Sequence, residues 1–206
     1  MTRTISGLYD SYDDAEAVVR DLKTAGISEQ HISMVANNTG DSFIARHKQG
    51  NEAGQGAENG AALGVVLGGG AGLLTGLGLL AIPGVGPVVA AGWLVATAVG
   101  ALGGGVVGGA GGGMIGAMIG NGIAEETANV YVEGIRRGGT LVTVQVDDRL
   151  APTAEAIMHE YHLVNTEARR DSYRAQGWTR FDEKSLPYTQ AEMDQARKSP
   201  ETPVVM

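Results

Sequence analysis

The chain contains no cysteine, which excludes disulfide staples, thiolate zinc sites and a cysteine nucleophile. Charge is scarce at 18% of residues and is absent altogether between Glu58 and Glu125, so the charged residues are confined to the two flanks. The net charge of −8 leaves no basic surface of the kind that phosphate backbones require, which argues against nucleic acid as a partner. The opening residues, Met1 to Asp10, reach an acidic side chain too soon to hold the apolar region of a signal peptide, and the flanks are expected on the cytoplasmic side. A length of 206 residues fits one small domain with an added element.

Glycine at fixed spacing fills the uncharged stretch. Gly60, Gly64, Gly68, Gly72 and Gly76 form one register, and Gly100, Gly104, Gly108, Gly112, Gly116 and Gly120 form another. Residues four apart share a helix face, so each register predicts a groove of bare backbone along an otherwise apolar helix. The glycines of residues 60–81 would cost an isolated helix about 6–8 kcal/mol in propensity, so packing against something else must offset them. Leu73, Leu74, Leu77, Leu79 and Leu80 stand where a flexible linker would carry serine and polar residues. Between the registers, Pro83, Gly84, Gly86 and Pro87 are expected to break the helix and reverse the chain.

The spacing thus predicts a helical hairpin over residues 59–124, with helix-packing glycines on both arms. Residues 60–81 would span about 33 Å, close to a hydrocarbon core of roughly 30 Å, whereas 88–122 would reach about 52 Å and must bend or break at its glycine triplets. Two settings satisfy such a surface, a lipid membrane or the buried core of a soluble homo-oligomer. Arg46, Lys48, Arg136 and Arg137 flank the hairpin as a cytoplasmic orientation requires, mixed with Glu52, Glu58, Glu125 and Glu126.

The flanks read as two halves of one α+β domain. Thr4 to Tyr9 alternates as a strand, Asp10 to Asp14 supplies helix-start chemistry, and Ala15, Val18, Val19, Leu22 and Ala25 follow helical spacing to Gly26. His31 to Val35 returns as a strand. The second half repeats the plan with a strand at Thr140–Val146, a helix opened by Pro152, and a strand near Leu163–Thr166. Ala15-Glu16-Ala17-Val18 and Ala154-Glu155-Ala156-Ile157 echo one another. Two βαβ units pair into a ferredoxin-like four-stranded sheet with helices on one face. The expected organisation is residues 1–58 as the first half with a linker, 59–124 as the hairpin, 125–170 as the second half and 171–206 as a polar extension. In that extension Trp178 and Phe181 are expected to dock on the domain, and Thr189 with Glu192 suggests a capping box.

Few residues offer chemistry. His159 and His162 lie three apart and need a third ligand to hold a metal, so a surface pair at a helix end is the simpler reading. Asp10, Asp13 and Asp14 are explained by helix capping and the helix dipole, and Asp147-Asp148 by a strand-to-helix turn. Gly76 to Ala81 formally fits a dinucleotide fingerprint but does not open a helix after a strand, and no phosphate loop or nucleophile elbow is present. No catalytic, cofactor-binding or metal residue is assigned, no cofactor is expected, and no small-molecule substrate is evident.

Several segments together resemble the bacterial general stress protein family, whose members are often named heat-induced stress proteins. They are Gly7-Leu8-Tyr9-Asp10 with Asp14 to Val18, Ile82 to Pro87, Gly122 to Glu126, and Tyr131 to Val142, so the resemblance covers residues 1 to about 170. Ala124 stands where the family usually has proline. The resemblance implies a stress-associated, non-enzymatic protein and brings no catalytic residues. Combined with the glycine registers, it gives an expectation of a self-associating protein anchored in the bacterial inner membrane with a cytoplasmic α+β domain. The other reading is a cytoplasmic particle or filament with the hairpins inside.

Overall fold

The computed structural model describes residues 2–39, 78–103 and 110–198. Along the chain these form β1 (Thr2–Tyr9), α1 (Tyr12–Thr24), β2 (Ile32–Asn37), β3 (Gly78–Ile82), β4 (Gly86–Gly92), α2 (Trp93–Gly103) and α3 (Ala110–Gly120). There follow α4 (Glu125–Arg136), β5 (Thr140–Asp147), α5 (Ala151–Glu160), α6 (Thr166–Ala175) and α7 (Gln190–Lys198). The fold is mixed α+β around one five-stranded antiparallel sheet, ordered β1-β5-β2-β4-β3.

The first half forms as its sequence dictates. Ser11 caps α1 by accepting from the Asp14 N–H at 3.3 Å, and Ala15, Val18, Val19 and Leu22 make the buried face. Gly26, at φ 87°, ends the unit in a left-handed conformation that a side chain would strain. In the second half Pro152 sits in the first turn of α5. The expected strand at Leu163–Thr166 shrinks to one bridge between Leu163 and Tyr9, because Thr166 already begins α6.

Helices cover both faces of the sheet, not one. Adjacent residues in the strands, Leu8 and Tyr9, Val35 and Met34, Leu141 and Val142, are apolar in alternation, so each face needs a cover. On one side α1 and α5 pack on Tyr9, Met34, Val142 and Val144. On the other, α2, α3 and α4 cover Leu8, Val35, Val88 and Leu141, with Leu94, Met114, Met118, Val132 and Ile135 filling the layer.

The glycine-rich region departs most from expectation. Pro83, Gly84, Gly86 and Pro87 do reverse the chain, but between strands instead of helices. Val85 N–H donates to the Ile82 carbonyl at 3.0 Å, and Pro83 followed by Gly84 at φ 76° fits a type II turn. Strand β4 then pairs with β2 in register from Ser33↔Gly92 to Asn37↔Val88 and widens the sheet. An apolar run without polar alternation suits a strand buried on both faces as well as a helix, and the tight turn decides for the strand.

The second arm, 88–122, expected as helix bent or broken at its glycine triplets, is divided between β4, α2 and α3. The two helices have 11 residues each, about 16 Å long against a hydrocarbon core of roughly 30 Å. Among the described residues no helix is long and apolar enough to cross a membrane. Gly60, Gly64, Gly68, Gly72, Gly76, Gly104 and Gly108 lie outside the described residues.

Candidate self-association surface

Strand β4 runs into α2 through Gly92, at φ 94°, where a Cβ would come within 2.1 Å of the Ile32 carbonyl oxygen. That close crossing sets α2 against β4 and β2, and α3 packs against both α2 and α4. Met114, Ala117 and Met118 form the buried side of α3, leaving Gly116, Ile119 and Gly120 on its exposed side. A Cβ added at Gly116 or Gly120 would meet nothing within 4 Å. Ile119 is 42% exposed beside them. Gly100 falls within α2 and Gly112 within α3. Of the expected packing glycines, Gly116 and Gly120 thus line no contact among the described residues and present bare helix backbone outward.

A second feature was not read from the sequence as a unit. The Glu133 side chain, 1% exposed, accepts from Arg137 Nε at 2.7 Å and from Arg136 Nη1 at 3.2 Å. Arg137 lies over the Tyr173 ring at 4.1 Å, while Arg136 lies over Tyr188 at 4.5 Å. Arg136 also donates to the Leu186 carbonyl, and Asn37 donates to the Ile135 carbonyl at 3.0 Å. The cluster therefore joins the end of β2, the end of α4, α6 and the C-terminal extension. Gly134 and Gly139 permit this end of α4 to approach β1, since a Cβ at Gly134 would lie 2.4 Å from a Leu8 methyl and one at Gly139 3.2 Å from another. The Tyr131–Val142 segment carried the signal as Glu133 preceding an Arg-Arg pair at i+3 and i+4, the spacing of helical ion pairs.

The candidates for chemistry resolve into structural roles. Asp10 pairs with Arg169 through two hydrogen bonds of 2.8 and 2.6 Å instead of capping α1. Burial disfavours the charge on Arg169, but the Asp10 hydrogen bonds and charge together with Tyr173 outweigh it and raise the pKa above its ordinary value. Asp147 accepts from Arg149 and from the Leu150 N–H in the expected strand-to-helix turn. The Arg149 side chain, helped by the Leu150 and Arg149 backbone, holds its carboxyl below the usual range. His162 Nδ1 sits 3.0 Å from Asp14 Oδ2 with its side chain 93% exposed. Among the described residues no three His, Cys, Asp or Glu side chains are placed to hold a metal ion, so His159 and His162 gain no third ligand.

No protein-family model, curated protein or solved structure matches the chain.

Proposed function

We propose that this is a non-enzymatic, stress-associated protein that assembles with copies of itself through its glycine-bearing helices. One observation carries the reading: Gly116 and Gly120 expose bare backbone on α3 beside the half-exposed Ile119. At Gly116, inside the helix, glycine costs about 0.8–1 kcal/mol relative to alanine, and the described part of this chain returns nothing for it, since no atom occupies the space a Cβ would take. A helix from another copy could approach closely there and recover the cost as packing.

The stress role comes from the family resemblance alone. The Leu163–Tyr9 bridge beside β1, β5 and β2 supports a ferredoxin-like βαβ/βαβ core widened by the β3–β4 hairpin. Helix α3 lies on α4, which itself covers the sheet, and that placement favours a second copy over lipid as the cover of Gly116 and Gly120. An inner-membrane anchor would have to come from the apolar sequence at 60–77.

The test compares the full chain with a Gly116→Leu, Gly120→Leu variant by sedimentation velocity, each also floated with membranes and washed in alkaline carbonate. Assemblies of the natural chain that fall to a smaller mass in the variant support the glycine face. Unchanged mass removes it. Retention on carbonate-washed membranes until detergent is added assigns the anchor to lipid.

A further inference from the structure

The domain body carries a groove between the β3–β4 turn and the end of α4, and residues 178–188 lie in it as an irregular strap with a turn at Asp182–Ser185, where the Ser185 N–H donates to the Asp182 carbonyl at 3.1 Å. Phe181, 7% exposed, enters the core layer that holds Ile82 and Val85, and its N–H donates to Asn129 Oδ1 at 3.2 Å. The backbone of Asp182 and Glu183 runs close over Gly84, where a Cβ would come within 2.9 Å of either. Pro187 covers Gly86 in the same way, at 3.0 Å. The Leu186 carbonyl accepts from Arg136 Nη2 at 2.8 Å, and the Arg136 and Arg137 guanidinium groups face the Tyr188 ring at 4.5 and 5.5 Å.

This is the chemistry by which proteins recognise a peptide segment. An aromatic anchor fills a pocket, side-chain donors and acceptors meet its main chain, and a second ring rests on cations. The groove is built wholly from residues before 138, and the strap reaches it after Gly177. That residue is exposed, has φ 86°, and has nothing within 4 Å of where a Cβ would lie. Its N–H and that of Trp178 close α6 on the Arg174 and Tyr173 carbonyls at 2.9 and 3.1 Å, so a strap so connected redirects at one residue by giving up those two bonds.

We propose that the groove also receives the strap of a second copy, so that two chains exchange residues 178–198 and each seats Phe181 and Tyr188 in its partner. The occupant follows from the strap itself, because the exchanged contacts are those already made within one chain. Docking Phe181 there buries the same ring against the same Ile82 and Val85, so the exchange costs association entropy and little contact energy. This surface is distinct from Gly116 and Gly120, so the exchange and the glycine-face reading can fail separately.

The full chain is concentrated, passed briefly through mild denaturant, diluted, and its mass read by light scattering after size exclusion. The natural chain is expected to give a dimer that persists on dilution. Phe181→Ala with Tyr188→Ala should lose it, and Gly116→Leu with Gly120→Leu should keep it. A labelled peptide of residues 178–189 should bind the Phe181→Ala, Tyr188→Ala chain at least tenfold more tightly than the natural chain, whose groove is filled in cis. If circular dichroism shows that double variant unfolded, Tyr188→Ala alone replaces it in both measurements. An absent dimer, a dimer indifferent to the strap substitutions, or equal peptide binding to both chains overturns the proposal.

Discussion

Arg137 Nε lies 2.7 Å from Glu133 Oε1, and the two side chains are 10% and 1% exposed. With Arg136 on the same carboxylate, one buried anion holds two cations whose outer faces meet Tyr173 and Tyr188. The ion cluster thereby fixes both α6 and the strap to the end of α4.

Glu133→Ala leaves two largely buried guanidinium groups without their counter-ion. Removing one partner of a buried pair costs about 3–5 kcal/mol, so the urea midpoint should fall steeply. Strap fluorescence from Trp178 should change in the same transition. A midpoint within error of the natural chain would sink this account of the cluster.

Glycine substitutions should separate by position. Gly92→Ala forces a Cβ into the Ile32 carbonyl at a left-handed φ, and a loss above about 4 kcal/mol is expected. Gly116→Ala meets open space inside helix α3 and should raise the stability of dilute protein by roughly 0.8–1 kcal/mol, and Gly120→Ala, at the last residue of α3, by less. Thermal melts at low concentration read both signs.

Tyr9 gives a pH dependence. Its hydroxyl donates to the Met158 carbonyl at 2.8 Å, and burial first, then the negative charge that Tyr131 and Asp14 would set beside it, pushes its pKa above the ordinary 10.0. Below about pH 10 the phenol is neutral in both states and its full contribution is present. Above that the unfolded chain ionises first, so stability should fall as pH rises toward the folded pKa. Tyr9→Phe should flatten that alkaline slope in urea titrations, at a hydrogen-bond cost of about 0.5–1.5 kcal/mol at neutral pH.

The start of α7 should loosen in acid. Glu192 accepts from the Thr189 N–H at 2.8 Å and from its hydroxyl, while the Glu192 N–H donates back to Thr189 Oγ1. Those bonds, the backbone one foremost, hold the Glu192 carboxyl below its usual range. The cap is therefore complete above the ordinary carboxylate pKa and is lost as pH falls through the depressed value. Amide exchange at Thr189 and Glu192 should speed up over that window, and Glu192→Gln, which removes the titrating carboxylate, should abolish the dependence.

Much of the fold was legible where polar and apolar residues alternate. The strands at Thr2–Tyr9 and Thr140–Asp147, the cap at Ser11, the helix over Glu125–Arg136 and the Thr189–Glu192 box each carry a local signal. Strand β4 was not legible, because Val88, Val89, Ala90 and Ala91 are all buried and offer no period of two. The candidate surface was half legible: glycine spacing marked Gly116 and Gly120, but only packing showed which side of α3 they occupy. The docking of Phe181 was legible as an aromatic in a polar extension, but the groove that receives it had no contiguous signal, since Asn129, Arg136, Phe181 and Tyr188 meet across about 50 residues of chain.

Sequence alone determined the local elements, the lack of thiol chemistry, and a glycine-rich surface that asks for close contact, because these depend on neighbours within a turn or two. Tertiary structure decided that Pro83 and Gly84 turn a strand instead of a helix, that helices cover both faces, and that the extension closes over Gly84 and Gly86. Those outcomes depend on which distant surfaces remain to be covered once the sheet has formed, and a chain read residue by residue does not contain that sum.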